Sequence, residues 1–307
     1  MQIIRAHGRV FRDRGIPAAI KFQFRDLDHY QHGDAAYQEK FRASQLQDFE
    51  YDWLKQEARS CGFMVGATAF DPSSAKKLRG YDFAKIASCT GKSDRETCEA
   101  IADAGLPTII STGGLDQEHV WAVAKWAVDE RNLDFALMHC VSLYPCSEYR
   151  CDLSRLGWMQ FCFASRDIPI GWSTHERPDA TVPIQMAVAY GATIFERHIG
   201  LGNENAYTSS PVQIDKWVSA WVHAQGIAGC EDRQERSDEL AALARVERKY
   251  GINARDWNSD HIIGTGEDNF NAPASPDSNR AALEGGDIPP SWAYGVHARG
   301  VLSDNLR

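Results

Sequence analysis

Short apolar runs rich in β-branched and aromatic residues recur along the chain at 18–24, 63–70, 83–88, 107–112, 134–142, 168–173 and 192–198. Bounded by Gly, Pro, Asp and Ser, they predict seven strands. Helical periodicity fills the intervals. Leu46, Phe49, Trp53 and Leu54 form one stripe, Val120, Val123, Ala124 and Ala127 another behind Asp116 as N-cap, and 182–191 reads as a third helix. A last helix opens at Pro211 and carries Ile214, Trp217, Val218, Trp221 and Val222 at i, i+3, i+4, i+7 and i+8. The chain begins with a helical pattern over 1–14 that feeds directly into the first apolar run. Alternation of strands with one-sided helices predicts an α/β protein with a parallel sheet closed by an outer helical ring. That is a TIM-type (β/α)8 barrel lacking its first strand. A doubly wound open sheet fits less well, because no Gly-rich first turn is present.

The polar residues sit at one end of these runs. Lys21, Gln23, Thr68, Lys85, Ser88, Ser111, His139, Ser142, Ser173, His175, Glu196 and His198 all fall at or just past the C-terminal end of a predicted strand. That is the face on which parallel barrels build active sites. His175 and His198 end successive strands, and two imidazoles with further positions open suggest a catalytic metal. Inward lysines at a barrel mouth are costly unless they meet an anion, so Lys21 and Lys85 predict a phosphate or carboxylate ligand. Ser88, Ser111, Ser142 and Ser173 add hydroxyl donors from four strands, and Gly113-Gly114 lets backbone amides approach a phosphate. His139 is expected either behind the ligands or in plain packing. The histidines at 7, 29, 32, 119, 223, 261 and 297 lack such a context and are expected at the surface.

Composition narrows the classes. The net charge of -9, with no basic block, argues against nucleic acid or an anionic membrane as partner. No apolar run approaches the roughly 18 residues that span a bilayer, and no charged-then-apolar leader follows Met1, so a cytoplasmic location is expected. Eight cysteines scattered without a CxxC pair fit reduced thiols better than a disulfide framework. Cys146 and Cys151 are the one close pair. The chain divides into a barrel over 1–228, a charged helical linker over 229–250 and a tail over 251–307 rich in Gly, Asn, Asp, Pro and Ser, expected to be irregular.

Taken in order, Ile20-Lys21-Phe22-Gln23, Ala84-Lys85-Ile86-Ala87-Ser88, Ile110-Ser111-Thr112-Gly113, Leu137-Met138-His139-Cys140 with Tyr144-Pro145, Gly171-Trp172-Ser173-Thr174-His175 and Phe195-Glu196-Arg197-His198 resemble the sialic acid synthase (NeuB) family. The resemblance spans about residues 1–225. It implies a carbon-carbon bond-forming transferase that condenses phosphoenolpyruvate with an N-acylated hexosamine, acts as a homodimer, and uses a divalent metal, manganese, with magnesium or cobalt as alternatives. Carried over by position, His175 and His198 are the metal ligands and, with Lys85, the catalytic residues. Lys21, Lys85, Ser88, Ser111 and Ser173 form the phosphoenolpyruvate pocket, while Gln23, Thr90, Ser142 and Tyr144 stand at substrate-contacting positions. The departures are specific. The family's first strand, with its Glu and Asn-His motif, is not seen. Thr90 replaces a sugar-handling Glu, Ser142 replaces an Asn, and 203–211 lacks an expected acidic residue. No antifreeze-like domain is recognisable. Two rivals remain open: another metal-dependent barrel aldolase or 3-deoxy sugar acid synthase, for which Arg25, Arg177 and Arg197 are candidate phosphate contacts, and a non-catalytic degenerate barrel.

Overall fold

The computed structural model describes residues 1–28, 35–202, 205–229 and 241–245. Seven strands run in sequence order and in parallel: β1 (Ala19–Phe24), β2 (Met64–Ala69), β3 (Phe83–Ile86), β4 (Thr108–Ser111), β5 (Phe135–Cys140), β6 (Ile170–Thr174) and β7 (Ile194–Arg197). Between and around them lie α1 (Gln2–Arg12), α2 (Ala35–Ser44), α3 (Asp48–Ser60), α4 (Pro72–Ala75), α5 (Ser88–Ser93), α6 (Arg95–Ala102), α7 (Gln117–Lys125), α8 (Ser154–Phe163), α9 (Val182–Ala189) and α10 (Pro211–Ala228). Three helices, α4, α6 and α7, start where a carboxylate accepts a free amide of the first turn. Asp71 takes Ser74 N at 2.7 Å, Asp94 takes Thr97 N at 3.0 Å and Asp116 takes His119 N at 2.9 Å, caps worth about 0.5–2 kcal/mol each.

β2, β5 and β6 are buried almost throughout, as parallel strands covered on both faces must be. The outer faces pack Ile86, Ile110, Leu137, Ile170 and Trp172 against Leu78, Ile101, Leu156, Met159, Phe163 and Ile184. β1 and β7 are less buried and are not hydrogen-bonded to each other among the described residues. In a flat sheet six strand intervals would hold them roughly 29 Å apart. Instead Lys21 Nζ on β1 lies 3.9 Å from Glu196 Oε2 on β7, so the sheet curls until its two edges face each other across one open seam. Outside that seam α1 packs on α10, and Arg14 Nη2 bonds Asp215 Oδ1 at 2.5 Å and Ser219 Oγ at 2.9 Å. Among the described residues this is a TIM-type (β/α) barrel of seven strands.

Three expectations need correction. Phe49 and Trp53 do not face the core. They are 57% and 58% exposed and pair with each other at 5.6 Å, while Tyr51, Leu54 and Ala58 supply the inner face of α3. Val222 on α10 is likewise exposed: Ile214, Trp217, Val218 and, further along, Ala224 form the buried face, and Val222 lies off it. His7 is buried, with Nδ1 bonded at 2.8 Å to Ile3 O, the i−4 carbonyl of its own helix. His119 and His223 are exposed as expected. His29, His32, His261, His297, the tail 251–307 and all of the linker except 229 and a helical turn at 241–245 lie outside the described residues.

Candidate functional site

The period of two along each strand decides what reaches the barrel interior. On β1, Phe22 and Phe24 turn outward onto Tyr51 and Tyr81, leaving Lys21 and Gln23 facing in. On β7, Phe195 turns outward onto Trp217 and Trp221, leaving Glu196 facing in. The interior charges meet. Lys85 Nζ is ion-paired with Glu196 Oε1, Ser173 Oγ donates to the same oxygen at 2.9 Å, and Lys21 Nζ donates to Thr68 Oγ1 at 3.0 Å while lying 3.9 Å from Glu196 Oε2. Burial would raise the Glu196 carboxyl, but the ammonium groups of Lys85 and Lys21 and the bonds from Lys85 and Ser173 hold it well below the usual carboxylate range. Burial lowers Lys21 to about 8 against the pull of Glu196, with Lys85 and Arg25 lowering it further. Two cations around one anion leave the cluster with a net positive charge at neutral pH, suited to an incoming phosphate or carboxylate. The Ser111 hydroxyl is buried without a partner among the described residues.

Beside this cluster lies an aromatic wall. The His175 and His198 rings are 5.4 Å apart between centroids. Tyr144 lies 4.2 Å from His175, and Tyr207 5.1 Å from His198 and 5.4 Å from Tyr144. His175 Nδ1 meets Val141 O at 3.0 Å, so that nitrogen carries the hydrogen and Nε2 keeps its lone pair, the tautomer of a metal ligand. Both imidazoles stay neutral at pH 7. Burial lowers His175, and burial followed by the charges of His175 and Lys21 lowers His198 to about 4. Two neutral imidazoles on adjacent strand ends suit a divalent cation with positions left for substrate. No third His, Cys, Asp or Glu joins them among the described residues. Burial raises the Tyr144 phenol to about 12, so it remains a hydrogen-bond donor.

A third group surrounds Gly113, whose amide donates to Ser88 Oγ at 3.2 Å. A Cβ there would fall 2.6 Å from Cys140 Sγ, 2.7 Å from Ser88 Oγ and 2.8 Å from Ser142 Oγ, so only glycine lets these side chains converge. Ser88 and Ser142 are not on strands as expected. The chain turns at Ala87, so Ser88 opens α5, and Ser142 lies two residues past β5, exposed. Ser111 and Ser173 are buried on β4 and β6. Gln23 is exposed on β1, and Thr90 is buried inside α5, where its carbonyl accepts Asp94 N at 2.8 Å. Among the described residues neither is bonded directly to the two clusters. His139 points outward and its Nε2 meets Cys151 O at 2.9 Å, anchoring the loop that carries Tyr144. Arg197 also points outward, into a buried pair with Glu176, and is no phosphate contact at the mouth. The family resemblance assigns Glu196 no role, although its phase with His198 marks it as inward.

A profile of the NeuB family matches residues 18–217. The crystal structure of a spore coat polysaccharide biosynthesis protein E from Chromobacterium violaceum superposes with a TM-score of 0.74 at 32% identity, covering 80% of this chain and 76% of that one. N-acetylneuraminate-9-phosphate synthase of Drosophila melanogaster is 29% identical over 56% of this chain and 46% of its own length. A pseudaminic acid synthase of Campylobacter jejuni is 27% identical over 54% of this chain and 48% of its own. The chain thus matches about half the length of each of these two curated relatives.

Proposed function

The chain belongs to the NeuB family, and from that membership and the charge layout of the barrel mouth we propose that it is a nonulosonic-acid synthase. It joins phosphoenolpyruvate to the aldehyde of an open-chain N-acylated hexosamine, giving a nine-carbon 2-keto sugar acid and phosphate. One observation carries this reading: the Lys21–Lys85–Glu196 cluster and the neutral His175/His198 pair open onto the same mouth. Anion binding and carbonyl activation are what this condensation needs side by side.

Lys85 and Lys21 hold the phosphate and carboxylate of the donor, with the hydroxyls of Ser111 and Ser173 as neighbouring donors. Their charges face groups that persist through the reaction, so they bind and orient more than they accelerate. A divalent cation, manganese with magnesium or cobalt as alternatives, would be held by His175 and His198 and would supply Lewis acidity to the aldehyde oxygen. Tyr144 and Tyr207 offer aromatic faces to the C–H side of the sugar. Carbon C3 of the enol donor attacks the aldehyde carbon, and the carbonyl oxygen takes up a proton to become a hydroxyl. Water adds at C2, losing a proton to solvent or a side chain, and the tetrahedral centre expels phosphate as the C2 ketone forms. Arg197, withdrawn behind the sheet, is not available to a phosphorylated acceptor.

The test supplies phosphoenolpyruvate, manganese and N-acylated hexosamines to the protein and follows phosphate and 2-keto acid together. Equimolar, metal-dependent release of both is expected, abolished in His198→Ala. If phosphate is never released and calorimetry shows no metal-enhanced binding of phosphoenolpyruvate, the synthase reading is wrong.

A further inference from the structure

We propose that Arg197 is a positioning residue whose guanidinium sets the spacing of His175 and His198 from behind the sheet. This rests on the reading that the two imidazoles hold a divalent cation. Alternation along β7 turns Glu196 inward and Arg197 outward, beneath α10, with its guanidinium carbon 5.7 Å from the Trp217 ring centroid. The Arg197 side chain is 1% exposed and that of Glu176 is fully buried. Every guanidinium nitrogen is bonded. Nε donates to Ser209 Oγ at 2.6 Å, Nη1 to Glu176 Oε1 at 2.6 Å, and Nη2 to the carbonyls of Glu176 at 3.0 Å and Arg177 at 2.8 Å.

Those acceptors flank the site. Glu176 and Arg177 directly follow His175. Ser209 N donates to His198 O at 2.9 Å, and Gly200 N donates to Ser209 O at 2.9 Å. One planar side chain thus joins the backbone beside the first imidazole, the backbone of the second, and the strap that brings Tyr207 against both. A lysine has a single nitrogen and no fixed fork, and cannot reproduce four directed bonds. Stability alone is a poor reason for this arrangement. Replacing a buried ion pair by apolar residues of the same volume is often neutral or stabilising, and Glu176 Oε2 is left without a partner among the described residues. What the pair supplies is a fixed distance between two strand ends.

The experiment measures manganese affinity by calorimetry on the full chain as wild type, Arg197→Lys, Arg197→Met/Glu176→Gln and His198→Ala. Inorganic phosphate affinity and the thermal midpoint are taken on the same samples. The double variant leaves no unpaired charge, so it separates positioning from folding. Both Arg197 variants should bind manganese about 10–100-fold more weakly while phosphate affinity is unchanged, the range typical for groups that orient metal ligands. A double variant that binds manganese like the wild type overturns the inference. So does one that loses manganese, phosphate and thermal stability in proportion, since that is a purely structural effect. If His198→Ala also keeps full manganese affinity, the cation assignment itself has failed and the inference falls with it. Loss in His198→Ala with no loss in the Arg197 variants refutes the positioning role alone.

Discussion

Replacing Lys85 by Met removes the ammonium while keeping the length of the side chain, and leaves Glu196 inside the barrel with Ser173 and the more distant Lys21. The Lys85 and Glu196 side chains are 7% and 22% exposed. Removing one partner of a buried pair costs about 3–5 kcal/mol. Two features reduce that. Glu196 keeps some contact with solvent, and Lys21 at 3.9 Å still attracts it, by an amount on the order of 4 kcal/mol before desolvation at an effective dielectric of about 20. Lys85→Met should therefore destabilise the fold by about 2–3 kcal/mol at pH 7. Adding Glu196→Gln removes the stranded carboxylate, and Lys21, already lowered to about 8 by burial, can shed its proton. The double variant should lie within about 1 kcal/mol of the wild type, a coupling well inside the range for contacting groups. The sign with pH follows from the depressed carboxyl. Its stabilisation is fully present above the ordinary value of 4.5 and is lost as pH falls towards the folded value. The gap between wild type and Lys85→Met should stay constant from neutral pH down to about 5.5 and narrow below 4.5. Urea unfolding read by tryptophan fluorescence, with midpoints at unchanged m-value, measures all of this. Equal losses in the single and double variants would show that Glu196 is not the anion around which the lysines are organised.

Because burial lowers Lys21 to about 8, its ammonium is present below that pH and lost above it. Affinity for inorganic phosphate, followed by calorimetry, should therefore fall between pH 7 and 9.5 with a one-proton dependence, and Lys21→Arg should remove the break because a guanidinium stays charged. Tyr144, 55% exposed and tilted against His175 with ring centroids 4.2 Å apart, should act on the acceptor alone: Tyr144→Ala raises KM for the amino sugar and leaves phosphoenolpyruvate affinity as it was, and a parallel loss of both would contradict the assignment. Among the described thiols, Cys89 is exposed whereas Cys146 and Cys151 are buried, and burial raises both of the latter above the ordinary thiol range. A maleimide pulse read by peptide mass should mark Cys89 first and the other two only after unfolding.

All seven strands were legible in the sequence because each is a short β-rich run closed by turn-forming residues, and because burial on both faces makes such runs almost wholly apolar. Their ends were less so. Backbone hydrogen bonding stops at Ile86 and Cys140, and nothing in the residue types of Ala87-Ser88 or Val141-Ser142 says where pairing ceases. Phe49 and Trp53 misled for a related reason. Sequence places Leu54 in one stripe with Phe49 and Trp53, but Leu54 shares its face with Tyr51 and Ala58 instead, and only the sheet's position chooses between the two sides.

The site separates along the same line between local phase and distant partner. Counting by twos along β5, β6 and β7 puts Cys140, Ser173, Glu196, His175 and His198 inside, and puts His139 and Arg197 outside, as observed. That count was available from the sequence. Applied to Ile194-Phe195-Glu196-Arg197-His198, it forces one charge into the barrel and the opposite charge into the apolar layer under α10, and each then requires a counter-charge. The requirement is local, but its solution is not. Glu196 is answered by Lys85, more than a hundred residues earlier, and Arg197 by Glu176, in the turn after the neighbouring strand. Sequence phase can state that two buried charges on β7 need partners. Only the curl of the sheet, which carries β3 and β1 round to β7, decides that Glu196 is answered by two lysines at the barrel mouth, Lys85 and Lys21.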